Sequence, residues 1–335
     1  MLYIGLDAHQ STSSICILDE NGKRVKRQTV HGFFPKVMEE LQKVDAPFEI
    51  CFEASCAYGY LYDELQKIAH RVVVAHPGQL RLIFRSKRKS DRVDAEKLAK
   101  LLFIGEVPEA YVPSINVRNW RRLIEYRRRL IDKQTRCKNA IRALLRSHGV
   151  QAPKGLWTRN GHAWLASLEL PNLAAEVQRD LMADELSLFG RQIRKVTKAL
   201  DEMGGEHPAV VILRTIPGVG ARTAETVAAY IDAPSRFSRS GEVASYFGLI
   251  PCQDSSAGLN RLGHITKQGP PTARKYLVEA TWQAIRRSPT VRAYFTRICG
   301  EKQDRTKVAL VATAHYLLRC MWAMLCHGEA WHEAA

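Results

Sequence analysis

Four carboxylates in the first hundred residues stand where metal-assisted phosphate chemistry would need them. Asp7 closes the apolar run LYIGLD, and Glu53 lies near the end of FEICFEA, so both are strand-end acids. Asp91 and Asp94 are three apart at the start of a helical pattern and share one helix face. Neighbouring strands of one sheet can bring Asp7 and Glu53 together. Four converging acids repel one another, and bound cations relieve that repulsion. Their oxygen atoms suit a hard ion such as Mg2+, or Mn2+. A pair of such ions can activate a nucleophile and stabilise the leaving oxygen of a phosphodiester. Singly, each acid has an ordinary reading: a strand-end Asp forms turns, and Asp91 after Ser90 could cap a helix. Order and spacing together favour the site. YIGLDAH also fits the phosphate-loop strand of actin-like and sugar-kinase-like ATPases, but the glycine-rich nucleotide loops which that reading needs are not found in suitable positions.

Cations crowd the approach to these acids. Arg81, Arg85, Lys87, Arg88, Lys89 and Arg92 fall within twelve residues, a basic lip of the kind a phosphate backbone requires. A second concentration lies further on. Residues 118–147 hold eleven Lys or Arg and two acids, more than half of the net charge of +16. An exposed helix face normally mixes signs. Arg121, Arg122, Arg128, Arg129, Lys133 and Lys138 are therefore expected on phosphates, with a steep salt dependence.

Two later motifs bear on the same chemistry. LRTIPGVGARTAETVAAYI (213–231) reads as a helix-hairpin-helix, with Gly218 and Gly220 permitting the turn and offering backbone N–H groups to a phosphate. A structural helical hairpin is the plain alternative. In FGLIPCQDSSAGLNRLGHITKQGPPTARKYL (247–277), Ser255 and Ser256 sit in a segment read as flexible, followed by Arg261, His264, Lys267, Arg274 and Lys275. A serine among cations could attack a phosphodiester while the cations stabilise the phosphoryl charge. Composition alone leaves it a loop.

The elements that would position these residues follow from periodicity. LYIGLD, SSICILD and VKRQTV read as strands, the last two joined by the hairpin signal Asn21-Gly22. A helix over 36–44, a strand over 48–54, a helix over 58–69, a strand over 71–77 and a helix over 92–103 follow. Strands first, then alternating helices and strands, suit an α/β domain of ribonuclease-H-like type over residues 1–108. A proline-marked linker leads into residues 109–205, a basic coiled-coil region. There Val117, Ile124, Ile131 and Leu145, and Leu123, Leu130, Cys137 and Leu144, recur at heptad spacing along a helix over 117–148. Residues 149–172 read as loop and 173–203 as a second long helix, the two helices pairing antiparallel or between subunits. Residues 206–335 read as a mainly α-helical domain broken by glycine loops.

Bulk properties agree. The 335 residues are 46% hydrophobic, enough for a core, and the excess of 50 Lys and Arg over 34 Asp and Glu points to a polyanionic partner. The eight cysteines lack zinc-knuckle spacing and are expected as reduced, mostly buried thiols. MLYIGLDAHQ does not read as a signal peptide. Val308 to Cys326, interrupted by His315 and Arg319, is expected as a buried helix and not a membrane span.

The acids in order, with GLIP, SSAG and RLGHITKQG, resemble the Piv/MooV-like DEDD transposases of insertion sequences. The resemblance covers nearly the whole chain. It implies a RuvC-like domain holding metal on Asp7 in GLDAH, Glu53 in FEAS, and Asp91 and Asp94 in SDRVDAEKLA. It implies a serine nucleophile that becomes covalently linked to DNA, matched best by Ser256 with Ser255 adjacent; where the family often has glycine next, this chain has Ala257. Also implied are donor and target DNA, a structured noncoding bridge RNA that pairs with both, homodimers that join into a tetramer, and a cytoplasmic, nucleoid-associated setting. A junction-resolving nuclease would use the acids with water and need no serine. A non-catalytic helix-hairpin-helix protein would need neither.

Overall fold

Alternation along LYIGLDA assigns two faces to the first strand. Ile4 and Leu6 are fully buried on one, while Tyr3, Gly5 and Asp7 share the other. The computed structural model describes residues 1–55, 57–83, 91–256, 259–300 and 303–334, in two units, Met1–Ile115 and Asn116–Ala335.

The first unit runs β1 (Leu2–Ala8), β2 (Thr12–Leu18), β3 (Arg24–His31), α1 (Phe34–Gln42), β4 (Phe48–Glu53), α2 (Tyr58–Leu65), β5 (Arg71–Ala75), α3 (Pro77–Ile83) and α4 (Asp91–Phe103). The sheet order is β3-β2-β1-β4-β5. β1, β2 and β3 are antiparallel neighbours, and β4 and β5 run parallel to β1. Ile4, Leu6, Ile15, Ile50 and Phe52 pack with Val37 and Leu41 of α1 and Leu61 and Leu65 of α2. On the other face, Cys51 and Val73 meet Leu98, Leu101 and Leu102 of α4, and Cys16 and Leu18 meet its Ala95 and Ala99. The order of elements is the one read from periodicity, with the short helix α3 added after β5.

The second unit is mainly helical: α5 (Ile115–Ser147), α6 (Arg159–Ser167), α7 (Leu173–Gly204), α8 (Pro208–Arg214), α9 (Ala221–Ile231), α10 (Ser240–Tyr246), then a hairpin of β6 (Pro251–Ser256) and β7 (Leu259–Ile265), and α11 (Pro271–Arg287), α12 (Pro289–Cys299) and α13 (Thr306–His327). α5 and α7 pair antiparallel within the chain. Trp120 lies against Gly204, Arg127 Nε donates to Thr197 Oγ1 at 2.8 Å, and Cys137 Sγ donates to the Met182 carbonyl at 3.1 Å. One end of α5 (Trp120, Ile124, Leu130) enters the core formed by α8, α9, α11 and α13. The other (Cys137, Ile141, Leu145) packs on Leu156, Leu165 and Leu186.

Three expectations change, and the reading of the apolar C-terminal helix as buried does not. Residues 149–172 contain α6, capped by Thr158, whose Oγ1 accepts from Gly161 N at 3.2 Å. Gly161 reads as a breaker, yet a Cβ there would stand 2.2 Å from the Gly155 carbonyl oxygen, so the glycine admits the preceding turn. The segment around the serines, read as flexible, forms β6 and β7, with Ser255 opposite Asn260 and Ser256 opposite Leu259. Of the seven described cysteines, only Cys16, Cys51 and Cys137 are buried. α13 is long and apolar enough to cross a membrane by length and composition; eight of its residues, from Ala309 to Met324, are instead buried in the protein.

Candidate active site

The site forms where β1, β4 and α4 end together. β1 and β4 run in parallel register, Leu6 beside Phe52, so the next residues, Asp7 and Glu53, emerge side by side. Glu53 shares its face with Cys51, which packs under α4. The helix runs back along β1. Its last residue, Phe103, meets Tyr3 edge-on at 5.3 Å between ring centroids, its middle lies on Gly5, and its first residue, Asp91, meets the end carrying Asp7. Gly5 makes that approach possible. A Cβ there would be 1.9 Å from the Ala95 carbonyl oxygen and 2.5 Å from Ala99 N. Sequence reading passed over Gly5, although a glycine inside an apolar strand is the usual mark of close backbone approach.

α4 is also tied to the sheet edge. Arg24 and Arg27 of β3 each donate to Glu96 Oε2 at 3.0 Å, Arg27 also reaches the Arg92 carbonyl at 3.2 Å, and Arg92 Nε donates to Thr29 Oγ1 at 3.2 Å. Arg92, read as part of a basic lip, thus helps to seat the helix. Arg81 is exposed on α3. Arg85, Lys87, Arg88 and Lys89 lie outside the described residues.

The tightest grouping is Asp7, His9 and Asp91, each offering one ligand atom within 4.8 Å of the others. His9 was not singled out from sequence; the signal was the spacing Asp-Ala-His, which puts two ligand types on one side of an extended chain. Asp94 is half-buried, with Oδ1 accepting from Lys97 Nζ at 3.0 Å. Glu53 is exposed. Both stand outside the tightest grouping. Asp7 is pushed above the usual carboxylate range, first by burial and then by the charges of Asp91, Asp94 and Glu53, with His9 opposing. A half-buried acid destabilised by three others is a cation-binding arrangement.

Two stretches of the chain match known transposase families. Residues 210–296 match the family described as Transposase IS116/IS110/IS902, and residues 4–149 match a second transposase family, the DEDD transposases of IS110 elements. The chain belongs to the IS110/IS116/IS902 transposase family. This transposase is 26% identical over 339 residues to the "Probable family 20 transposase" of Pseudomonas aeruginosa, spanning 96% of each chain. It is 23% identical to the transposase of insertion sequence IS1111A of Coxiella burnetii, over 99% of this chain and 92% of that one. With the IS1328 transposase of Yersinia enterocolitica it shares 21% identity over 98% of both. A DEDD transposase domain points to divalent-metal use, and the carboxylates and imidazole here are fitting donors.

The second unit of the transposase carries the remaining candidates. On α5, Arg122, Arg129 and Lys133 are exposed. Lys138 and Arg142 lie over the Trp157 ring at 5.4 and 5.2 Å. Arg128 pairs with Asp132. Arg121 is engaged inside the fold: its Nε donates to the Ala229 carbonyl at 2.7 Å, and its guanidinium covers the Tyr230 ring. Gly218 has φ +97°, and a Cβ would sit 2.5 Å from Ala284 N, so this glycine packs the turn onto α11. Gly220 is exposed, with open space where a Cβ would be, directly before α9. Arg261 and Lys267 are exposed, Lys267 at φ +55°. Arg274 is spent on the base of the hairpin, donating to the carbonyls of Phe247 (3.1 Å), Gly269 (3.2 Å) and Gln268.

Proposed function

We propose that this transposase cuts and rejoins DNA strands through a covalent bond to Ser256, using the acids at the ends of β1, β4 and α4 as its metal site. The observation that carries the reading is the convergence of Asp7 and Asp91, with Glu53 and Asp94 beside them, in a region matched by a DEDD transposase family. The sheet order, three antiparallel strands followed by two parallel ones, supports a ribonuclease-H-like description of that unit. Asp7, Glu53, Asp91 and Asp94 would hold Mg2+ or Mn2+; when bound, such an ion supplies positive charge to a phosphate oxygen.

The serine does what the acids cannot. Its hydroxyl oxygen bonds to phosphorus, the phosphodiester bond to the leaving strand breaks, and the departing oxygen takes a proton. Attack by a new strand end on the phosphoserine reverses the step, so the bond energy is conserved without a high-energy cofactor. Arg261 and Lys267, exposed on and just after β7, are suited to bind the flanking phosphates, and Gly220 offers a helix N-terminus for the same purpose. Ser255 is the adjacent alternative.

Target choice is assigned to an element-encoded structured RNA that pairs with donor and target DNA. The exposed cations of α5 support such a polyanionic partner. Assembly is assigned to homodimers that join into a tetramer. The decisive experiment traps the protein on a donor DNA and resolves adducts by denaturing gel. Wild type forms a covalent adduct; Ser256→Ala forms none, and Asp91→Ala loses strand exchange. Wild-type recombination by both variants would falsify the assignment. RNA that copurifies with the protein, and stimulates exchange when added back, tests the guide.

A further inference from the structure

Asp7 and His9 flank Ala8 at the end of β1, and the chain is pinned there: His9 N donates to the Thr12 carbonyl at 3.1 Å, closing the turn into β2. The imidazole lies beside two of the acids, Asp7 and Asp91. Its Nε2 lies 3.4 Å from Asp7 Oδ2 and 3.8 Å from Asp91 Oδ1. Both distances exceed that of an ordinary hydrogen bond, about 2.7–3.2 Å. They fall between the separations of adjacent and of opposite ligands on one ion. Two donors each about 2.1 Å from an octahedral cation are separated by roughly 3.0 Å when adjacent and 4.2 Å when opposite. The His9 side chain is half-exposed, 50%, so its position is not the result of being packed into a core.

We propose that His9 Nε2 is itself a metal ligand of this site, joining Asp7 and Asp91 and tilting the site toward transition-metal dications over Mg2+. The inference rests on the reading of the acids as a metal site and adds a nitrogen to their oxygens. An imidazole contributes little to Mg2+, which prefers oxygen and retains its water, and more to ions that accept nitrogen. The four acids alone would not discriminate in this way.

Mn2+ alone, without nucleic acid, is the probe for the full-length protein. Free Mn2+ is counted by electron paramagnetic resonance during a titration, and the bound ion is examined by electron spin echo for modulation from a directly bonded 14N. The wild-type complex is expected to show that modulation. His9→Ala and His9→Gln are expected to lose it, with Mn2+ affinity falling about tenfold or more, while Mg2+, measured by competition, loses less. Circular dichroism checks that both variants fold, and the wild-type spectrum tests the ligand without any variant. Saturating Mn2+ with no nitrogen modulation in wild type overturns the role of His9 and leaves the acid site standing. Mn2+ binding that Asp7→Asn does not weaken overturns both.

Discussion

At the scale of single residues, a carboxylate taken out of water beside a cation is subject to two opposed effects, and Glu225 shows which prevails. Its side chain on α9 is 3% exposed, with Oε2 3.1 Å from Arg222 Nη1. Burial pushes its pKa up to about 7 in spite of Arg222 and Arg127, so desolvation wins. The folded protein therefore holds a proton on Glu225 that the unfolded chain, with a value near 4.5, releases earlier. The associated stability is fully present below pH 4.5 and is lost as pH rises through about 7. The loss amounts to about 3 kcal/mol by pH 8, taking 1.36 kcal/mol per decade. Glu225→Gln cannot titrate, so it should gain on wild type by about that amount between pH 4.5 and 8. Denaturant titrations followed by tryptophan fluorescence measure this in the right unit, because all six tryptophans lie beyond residue 116. A difference that stays flat across the range would sink the idea. Glu225 gave no sign of this in sequence, where it is one more charge on an amphipathic helix. Asp7, Glu53, Asp91 and Asp94 were legible because their types and strand-end or helix-start positions carry the information. His9 was not, since its role depends on where α4 delivers Asp91.

At the scale of elements, the spacing between β1 and α4 determines whether those acids meet, and Gly5 determines the spacing. No rotamer change can relieve a Cβ set against the Ala95 carbonyl and the Ala99 amide, because both obstacles are backbone. Gly5→Ala must push the helix away from the sheet or break its packing, at a cost of about 3 kcal/mol or more. Amide hydrogen exchange should show lost protection in β1 and α4, with Mn2+ binding weakened although no ligand has changed. Protection and Mn2+ affinity equal to wild type would mean that the contact is not needed. Elements with strong apolar periodicity were readable: the five strands of the first unit, α4, α5 and α7. Those defined by tertiary contact were not. α6 was hidden by Gly155 and Gly161, whose presence reflects a turn folded against the helix. β6 and β7 were hidden by polar, serine-rich composition. The base of that hairpin is held from outside it, by Arg274 on three carbonyls and by Gly248 and Gly269, whose absent side chains let segments 246–248 and 267–269 touch.

At the scale of the whole molecule, charge is divided as unequally as structure. Residues 1–115 carry sixteen Lys or Arg against fifteen Asp or Glu, and residues 116–335 carry thirty-four against nineteen. The unit with the acid cluster is nearly neutral, and fifteen of the sixteen net positive charges lie in the other. Nucleic-acid affinity should then come mainly from the second unit, through release of counterions from phosphates. The exposed members of α5 make this quantitative. Arg122, Arg129 and Lys133 reach solvent, whereas Arg121 is bound to the end of α9. If each exposed cation meets one phosphate, replacing all three by Ala should reduce the slope of log affinity against log salt by about 3. Arg121→Ala should instead lower the stability of the second unit, because it leaves the Ala229 carbonyl without its guanidinium. Fluorescence anisotropy with one duplex DNA and one structured RNA, over a salt series, separates the two cases. An unchanged slope in the triple variant with both nucleic acids would remove α5 from the binding surface. A reduced slope with RNA alone would assign this face to the RNA and leave DNA to the exposed cations around β7 and α11.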